Sequence, residues 1–421
     1  MSWATIPLKR IAVLTAGGTP AVGEPTYWSD EGEGNAWVSI SDMSSVDSVT
    51  ATARRVSDAG LRSARIALGD PGTLLFSMYA SLGHTAWLST PAAWNQAILG
   101  MRSDSTTDAR FLRYSLVSLR PTLLEQARSN TQSNLNAEQV GNLAIPRPPL
   151  GEQRRVADFL DVETARIDRT AAARQAQQSI LRERELSLIS ETLSGGVGPR
   201  GGRSTGMPWL PAIPADWKIG PVYAYFSTEL GKMLNAERAT GDRQRPYLRN
   251  ANVHWYDIDI SDMATMSFDA SETHRYSVAP GDLLVCEGGA GVAEAAVWNG
   301  EISDCYYQKS LHRVRRSGHV PVEWLMYWLR LAKHVGVFEA DGNIATIPHL
   351  TGEQLREYRI PIPPDGDSRV VALNHEVRDL LSLVKRLDQA QALLAERRQA
   401  LITAAVTGQL DVTTARPARD L

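Results

Sequence analysis

Glu138-Gln139-Val140-Gly141-Asn142-Leu143-Ala144-Ile145-Pro146-Arg147-Pro148-Pro149 recurs in altered form as Glu353-Gln354-Leu355-Arg356-Glu357-Tyr358-Arg359-Ile360-Pro361-Ile362-Pro363-Pro364. Each copy runs into a stretch without helix breakers: there is no Gly or Pro from Glu152 to Ser194, and none from Ser368 to Thr407. Both stretches read as helices of about 40 residues, roughly 60 Å long at 1.5 Å per residue. The repetition extends outward. Leu188-Ile189 and Leu193-Ser194-Gly195 match Leu401-Ile402 and Val406-Thr407-Gly408, while Trp3 and Pro7 match Trp217 and Pro221. Pro71-Gly72-Thr73-Leu74-Leu75 matches Pro280-Gly281-Asp282-Leu283-Leu284, and Gln96 matches Gln308. The chain is therefore a tandem duplication with a period of about 210 residues, not a short-period solenoid.

Each copy has two parts. Residues 1–150 and 216–365 are punctuated by Gly and Pro and hold short apolar runs such as Trp37-Val38-Ser39-Ile40 and Asp282-Leu283-Leu284-Val285, the pattern of strands joined by turns. The long helices follow at 151–195 and 366–410, with a tail at 411–421. In the second helix Val370, Leu373, Val377, Leu380, Val384, Leu387, Gln391, Leu394, Arg398 and Leu401 recur at alternating spacings of three and four, a coiled-coil seam with eight apolar members of ten. The first helix holds Val156, Leu160, Ile167 and Ala171 in phase and then turns Ala/Gln-rich, so it depends on a stronger partner, the second helix. Between them, GGVGPRGGRSTG from Gly195 to Gly206 opens a flexible linker by composition, placed at residues 196–215. The fold class expected is α+β: two tandem globular domains separated by two long helices that pair as an antiparallel coiled coil, with a pseudo-twofold internal repeat.

Composition narrows the function classes. With 421 residues, 22% charged and 43% hydrophobic, the chain is globular and large enough for two or three domains. It lacks an apolar stretch of membrane-spanning length and a secretory signal pattern, so a cytoplasmic protein with no membrane partner is expected. Cys286 and Cys305 are its only cysteines, too few for a disulfide framework or a zinc cluster. The net charge of −3 includes no basic arm: residues 216–365 carry 15 Lys and Arg against 20 Asp and Glu. Composition alone therefore argues mildly against a nucleic acid partner.

Catalytic signatures are missing from the sequence. Gly231-Lys232-Met233 is not a phosphate-binding loop, and Gly288-Gly289-Ala290-Gly291 lacks the third spaced Gly and the helix that would make it one. Both Pro-Pro pairs lack the Asn/Asp-Pro-Pro-aromatic form that amino-methyltransferases use. Asp216-Trp217-Lys218 has no upstream acidic partner for a nuclease metal. The eight His residues form no pair at metal-ligand spacing, and there is no Gly-x-Ser-x-Gly elbow. No catalytic and no metal-binding residue is assigned.

A binder carrying two globular readers on a helical spacer resembles the specificity subunit of Type I restriction-modification systems. The resemblance rests on the Ile-Pro-x-Pro-Pro boundary before each helix, on Glu396-Arg397-Arg398-Gln399-Ala400-Leu401-Ile402 continuing to Ala405-Val406-Thr407-Gly408, and on the Trp-plus-Pro opening of each half. It covers nearly the whole chain, although the first helix ends Thr192-Leu193-Ser194-Gly195 rather than in the Val-Thr-Gly form. The resemblance implies two target-recognition domains, each reading one half of an asymmetric bipartite site in double-stranded DNA. It also implies helices that bind two methyltransferase (modification) subunits and restriction (translocase-nuclease) subunits, with no cofactor in this chain and S-adenosylmethionine on the partner subunits. The chain itself would be non-catalytic.

Candidate base readers are polar groups able to make paired contacts with base edges. In the first domain they are Ser77, Tyr79, His84 and Gln96, with Asn130, Gln132 and Asn134 from the polar loop before the boundary. In the second they are Arg249, Asn250, Asn252, His254, Glu287, Gln308 and Lys309, with the stretch from Asn343 to Thr346. Partner binding falls to Val156, Leu160, Ile167, Val377, Leu380, Val384, Leu387 and Leu394. Two other readings stay open at this level: a scaffold that binds protein rather than DNA, and a self-contained methyltransferase or nuclease.

Overall fold

The structure, a computed structural model, describes residues 3–129, 134–198, 201–235, 239–340 and 349–414. It divides into two compact units, one of residues 1–175 with 388–421 and one of residues 176–387. Four helices organise them: α1 (Ala109–Ser129), α2 (Leu150–Leu193), α3 (Val322–His334) and α4 (Gly366–Val406). The breaker-free stretches are thus continuous helices. Each contributes one half to either unit, a division that the boundaries at 151 and 366 did not anticipate.

α2 starts where Pro148-Pro149 cannot continue a helix, and Gln153 seals the start. Its buried side chain donates to the Pro148 carbonyl at 2.9 Å and accepts from the Asp108 N–H at 2.9 Å. The helix ends at Gly195, whose φ of 64° is open to glycine, with the Gly196 N–H returning to the Glu191 carbonyl at 2.8 Å.

The duplicated sequence is a duplicated fold. The main sheet of the first unit is ordered Ala12–Ala16, Ile98–Ser103, Leu74–Ser77, Thr85–Leu88, Ser48–Val49; that of the second is ordered Phe226–Leu230, Leu311–Arg316, Leu283–Cys286, Ala295–Val297. In a second sheet Asn35–Val38 runs parallel to Ala92–Trp94 and antiparallel to Arg54–Val56, as Gln244–Leu248 does to Tyr306–Tyr307 and Ala264–Ser267. The repeated Ile-Pro segments are the closing strands: Thr5 pairs with Pro146, and Lys218 with Ile362. Each copy is therefore sewn shut beside its own first strand.

Within each unit the sheets are tied to the long helices by a matching bond. The Tyr114 hydroxyl of α1 donates to Asp161 of α2 at 2.7 Å, and the Tyr327 hydroxyl of α3 donates to Asn374 of α4 at 2.6 Å. Arg110 adds ion pairs to Asp161 at 2.7 Å and Asp158 at 2.8 Å. The second unit adds a buried clamp. Glu185 of α2, 4% exposed, accepts from Arg330 at 3.0 and 3.2 Å and from the Tyr256 hydroxyl at 2.6 Å.

The seam residues lie as their spacing predicts. Val156, Leu160, Ile167 and Val377 are buried, and Leu380, Val384, Leu387 and Leu394 are half-buried. In the first unit Val156 and Leu160 pack with Ile402, Ala405 and Val406, Asp168 pairs with Arg398 at 2.9 Å, and the Ala171 carbonyl accepts from Gln391 at 2.9 Å, so the helices run antiparallel. In the second unit Leu188, Ile189 and Leu193 share a core with Val370, Leu373 and Val377. The Ala/Gln-rich part of α2 buries Gln178 and Glu185 where a regular seam would bury Leu.

The flexible-linker expectation for 196–215 is corrected. Arg203–Met207 and Leu210–Ile213 pair as a hairpin. Leu210 and Ile213 are buried in the second unit's core, and Trp209 meets Trp328 at 5.7 Å. Gly and Ser suggested freedom, but these apolar anchors fix residues 203–213.

Candidate nucleic-acid interface

In each unit the strand after the Pro-Gly turn ends at a knot of loops. In the first, Leu74–Ser77 leads into residues 78–84, where Ala80 takes a φ of 52° and Gly83 of 76°. The Met78 N–H reaches the Ala97 carbonyl at 2.8 Å, and the Leu135 N–H reaches the Met78 carbonyl at 3.1 Å. The second unit repeats this: the Glu287 N–H bonds the Ser310 carbonyl at 2.9 Å, and the Leu350 N–H bonds the Glu287 carbonyl at 2.6 Å. Three separated loops are thereby held together in each copy by backbone bonds that do not depend on side-chain identity.

The first knot displays Tyr79, His84, Gln96 and Asn134. Gln96 and Asn134 are exposed, Tyr79 and His84 half-buried. Burial lowers the His84 pKa below the usual histidine value, reinforced by Arg120 and Arg113, so its ring is neutral; Nε2 is enclosed without a partner. Ser77 is not a reader. It is fully buried, and its hydroxyl donates to the Tyr79 carbonyl at 2.7 Å to hold the loop from inside. Ser77→Ala should lower stability by about 1 kcal/mol, as thermal melting would record. Asn130 and Gln132 lie outside the described residues.

The second knot displays Asn250, Glu287, Gln308 and Lys309. The Asn250 amide donates to the Gly288 carbonyl at 2.9 Å, its N–H to the Ser310 hydroxyl at 3.2 Å, and its Oδ1 is enclosed without a partner. Lys309 is exposed, and Glu287 lies 3.8 Å from His349. Asn252 is corrected to a structural role. It is 2% exposed, accepting from the Arg249 N–H at 3.1 Å and donating to the carbonyls of Asp259 at 2.8 Å and Asp262 at 3.1 Å. Arg249 pairs with Asp262 at 2.5 Å, and exposed His254 lies 3.8 Å from Glu294, apart from the knot's backbone bonds. Asn343 and Thr346 lie outside the described residues.

Two residues of this surface escaped the sequence reading. Thr19 donates to Gln96, and His349 bridges to Gly288 through the backbone. The signal for His349 was available, because the offset that aligns Glu138 with Glu353 places Asn134 on His349. Among the described residues no group of three or more His, Cys, Asp or Glu is placed to hold a metal, and no helix is long and apolar enough to cross a membrane.

A family model described as the Type I restriction modification DNA specificity domain matches residues 29–177. The specificity subunit of the Type I restriction enzyme EcoBI from Escherichia coli is 25% identical over 126 residues, 30% of this chain and 27% of the relative. That of EcoKI, from Escherichia coli strain K12, is 24% identical over 153 residues, 36% of this chain and 31% of the relative. A Methanocaldococcus jannaschii relative is 21% identical over 302 residues, 68% of this chain and 64% of its own length. The matched stretches span under two thirds of each of these relatives. A chain solved in work on complex assembly and conformational transition of the type I R-M system shares the fold, with a TM-score of 0.69, 18% identity and coverage of 97% of this chain and 98% of that one. The chain therefore carries, at residues 29–177, a stretch similar to the Type I restriction modification DNA specificity domain, and over its whole length it shares the fold of that solved chain.

Proposed function

We propose that this chain reads an asymmetric bipartite site in double-stranded DNA, one half through each loop knot, and directs two methyltransferase subunits and their restriction partners to it. The observation that carries this reading is the pair of loop knots, alike in backbone bonding and different in side chains. Two frames of one construction with different displayed groups are suited to two different half-sites. Tyr79, His84, Gln96 and Asn134 would read one; Asn250, Gln308, Lys309 and His349 the other. The shortage of basic residues agrees with partners that supply part of the phosphate grip. S-adenosylmethionine and both catalytic activities belong to those partners in this reading, and the complex works in the cytoplasm on host and invading DNA.

The long helices serve as partner-binding elements and as the ruler between half-sites. Inserting four residues after Ala172 lengthens α2 by about 6 Å and nearly preserves its 3.6-residue face. The unread spacer should then grow by one or two base pairs, with both half-site sequences unchanged. Mapping of methylated sites checks this. An unchanged spacer with activity retained would remove the ruler, and absence of sequence preference in duplex binding, with and without methyltransferase subunits, would leave a protein scaffold instead.

A further inference from the structure

The two copies differ at one place in a way the reading of DNA does not use. In the first unit Leu99 pairs in register with Ala16, and Leu14 with Met101; in the second His312 pairs with Leu230, and Thr228 with Val314. His312 and Thr228 thus stand where the first copy has two leucines. There the leucines pack with Val140 in an apolar cluster, and a Cβ on Gly141 would come within 3.3 Å of Leu14. In the second copy a cavity of about 530 Å³ lies between strand Phe226–Leu230 and the short helix Gly352–Glu357.

His312 is 1% exposed and lines this cavity. Its Nε2 lies 2.8 Å from the Leu350 carbonyl. A carbonyl oxygen only accepts, so Nε2 carries the proton and Nδ1 of the neutral ring is a bare acceptor. Burial favours that neutral form, lowering the pKa from the usual histidine value. Nδ1 is enclosed with no hydrogen-bond partner, a cost that a donor entering the cavity would relieve. Glu353 and Glu357 stand at the rim with Arg356, while Glu229 is bonded to Arg275 at 2.6 Å. The carboxylate excess disfavours a phosphate. The exposed ring of Tyr223, also lining the cavity, offers a face to a cation.

We propose that this cavity binds a cationic N–H donor, a guanidinium or ammonium group that donates to His312 Nδ1 and lays its charge against Glu353 and Glu357. The test is isothermal titration calorimetry of the full chain with agmatine, spermidine and acetyl-Gly-Arg-Gly-amide. Saturable binding is expected for at least one of the three. It should weaken at least tenfold in His312→Leu, which copies the first unit's filling, and in Glu353→Gln/Glu357→Gln, whose changes lie on an exposed helix face. Tighter binding of the peptide would assign the group to a protein side chain, and tighter binding of agmatine or spermidine to a free cation. No saturable binding of any probe, or undiminished affinity in the rim variant, overturns the proposal. If His312→Leu melts well below the parent, the rim variant alone decides.

Discussion

Glu185→Ala is expected to lower the melting temperature of the second unit by roughly 10 °C, since removing one partner of a buried ion pair costs about 3 to 5 kcal/mol and each kcal/mol is worth about 2 to 4 °C at this size. Glu185 is 4% exposed and receives Arg330 through two bonds, at 3.0 and 3.2 Å, and the Tyr256 hydroxyl at 2.6 Å. Its loss leaves a guanidinium and a phenol without their acceptor in an apolar surround. Burial and the neighbouring carboxylate hold the Tyr256 pKa well above its ordinary value, so the phenol stays a donor and cannot adapt by ionising. Replacing both members, as Glu185→Leu with Arg330→Met, should recover most of the loss, because the unpaired charge disappears with its partner. Differential scanning calorimetry reads both variants. A shift under about 2 °C for Glu185→Ala would mean that the clamp does not fix the second unit to α2.

If each copy reads one half of a bipartite site, exchange of residues 216–365 for the matching domain of a Type I specificity subunit should change one half of that site completely and leave the other untouched. The cut points are favourable: Lys218–Pro221 and Arg359–Ile362 pair antiparallel, so the domain's entry and exit lie side by side. The incoming domain must keep a hydroxyl at Tyr327 for Asn374 and a cation at Arg330 for Glu185, or it will be held in a different pose on the helices. Methylation mapping before and after the exchange gives the outcome. Both half-sites changing together would show that the copies do not read independently.

Different parts of the molecule differed in how much their sequence revealed. The long helices were legible because two breaker-free runs and a three-four apolar spacing admit little else, and the duplication was legible because closing strands and turns keep Pro and Gly at fixed offsets. The hairpin at 203–213 was hidden by its Gly-rich approach, since composition does not say whether Leu210 and Ile213 find a core. Among the candidate readers, residue type identified polar groups but not the direction in which each faces. Ser77 and Asn252 are polar because they hold loops from within, at 0% and 2% exposure. Glu185 was not singled out for the converse reason. A Glu in a charged helix reads as a solvated residue until a distant Arg330 and Tyr256 are folded against it.

In the proposed reading, two copies of one fold read two different half-sites at a set distance. The decisive measurement is methylome mapping of a host that carries this chain together with the methyltransferase subunit proposed as its partner. A single motif made of two unlike defined parts separated by an unread spacer of constant length is expected. Methylation at one uninterrupted motif, or at two parts with a variable gap, would contradict it.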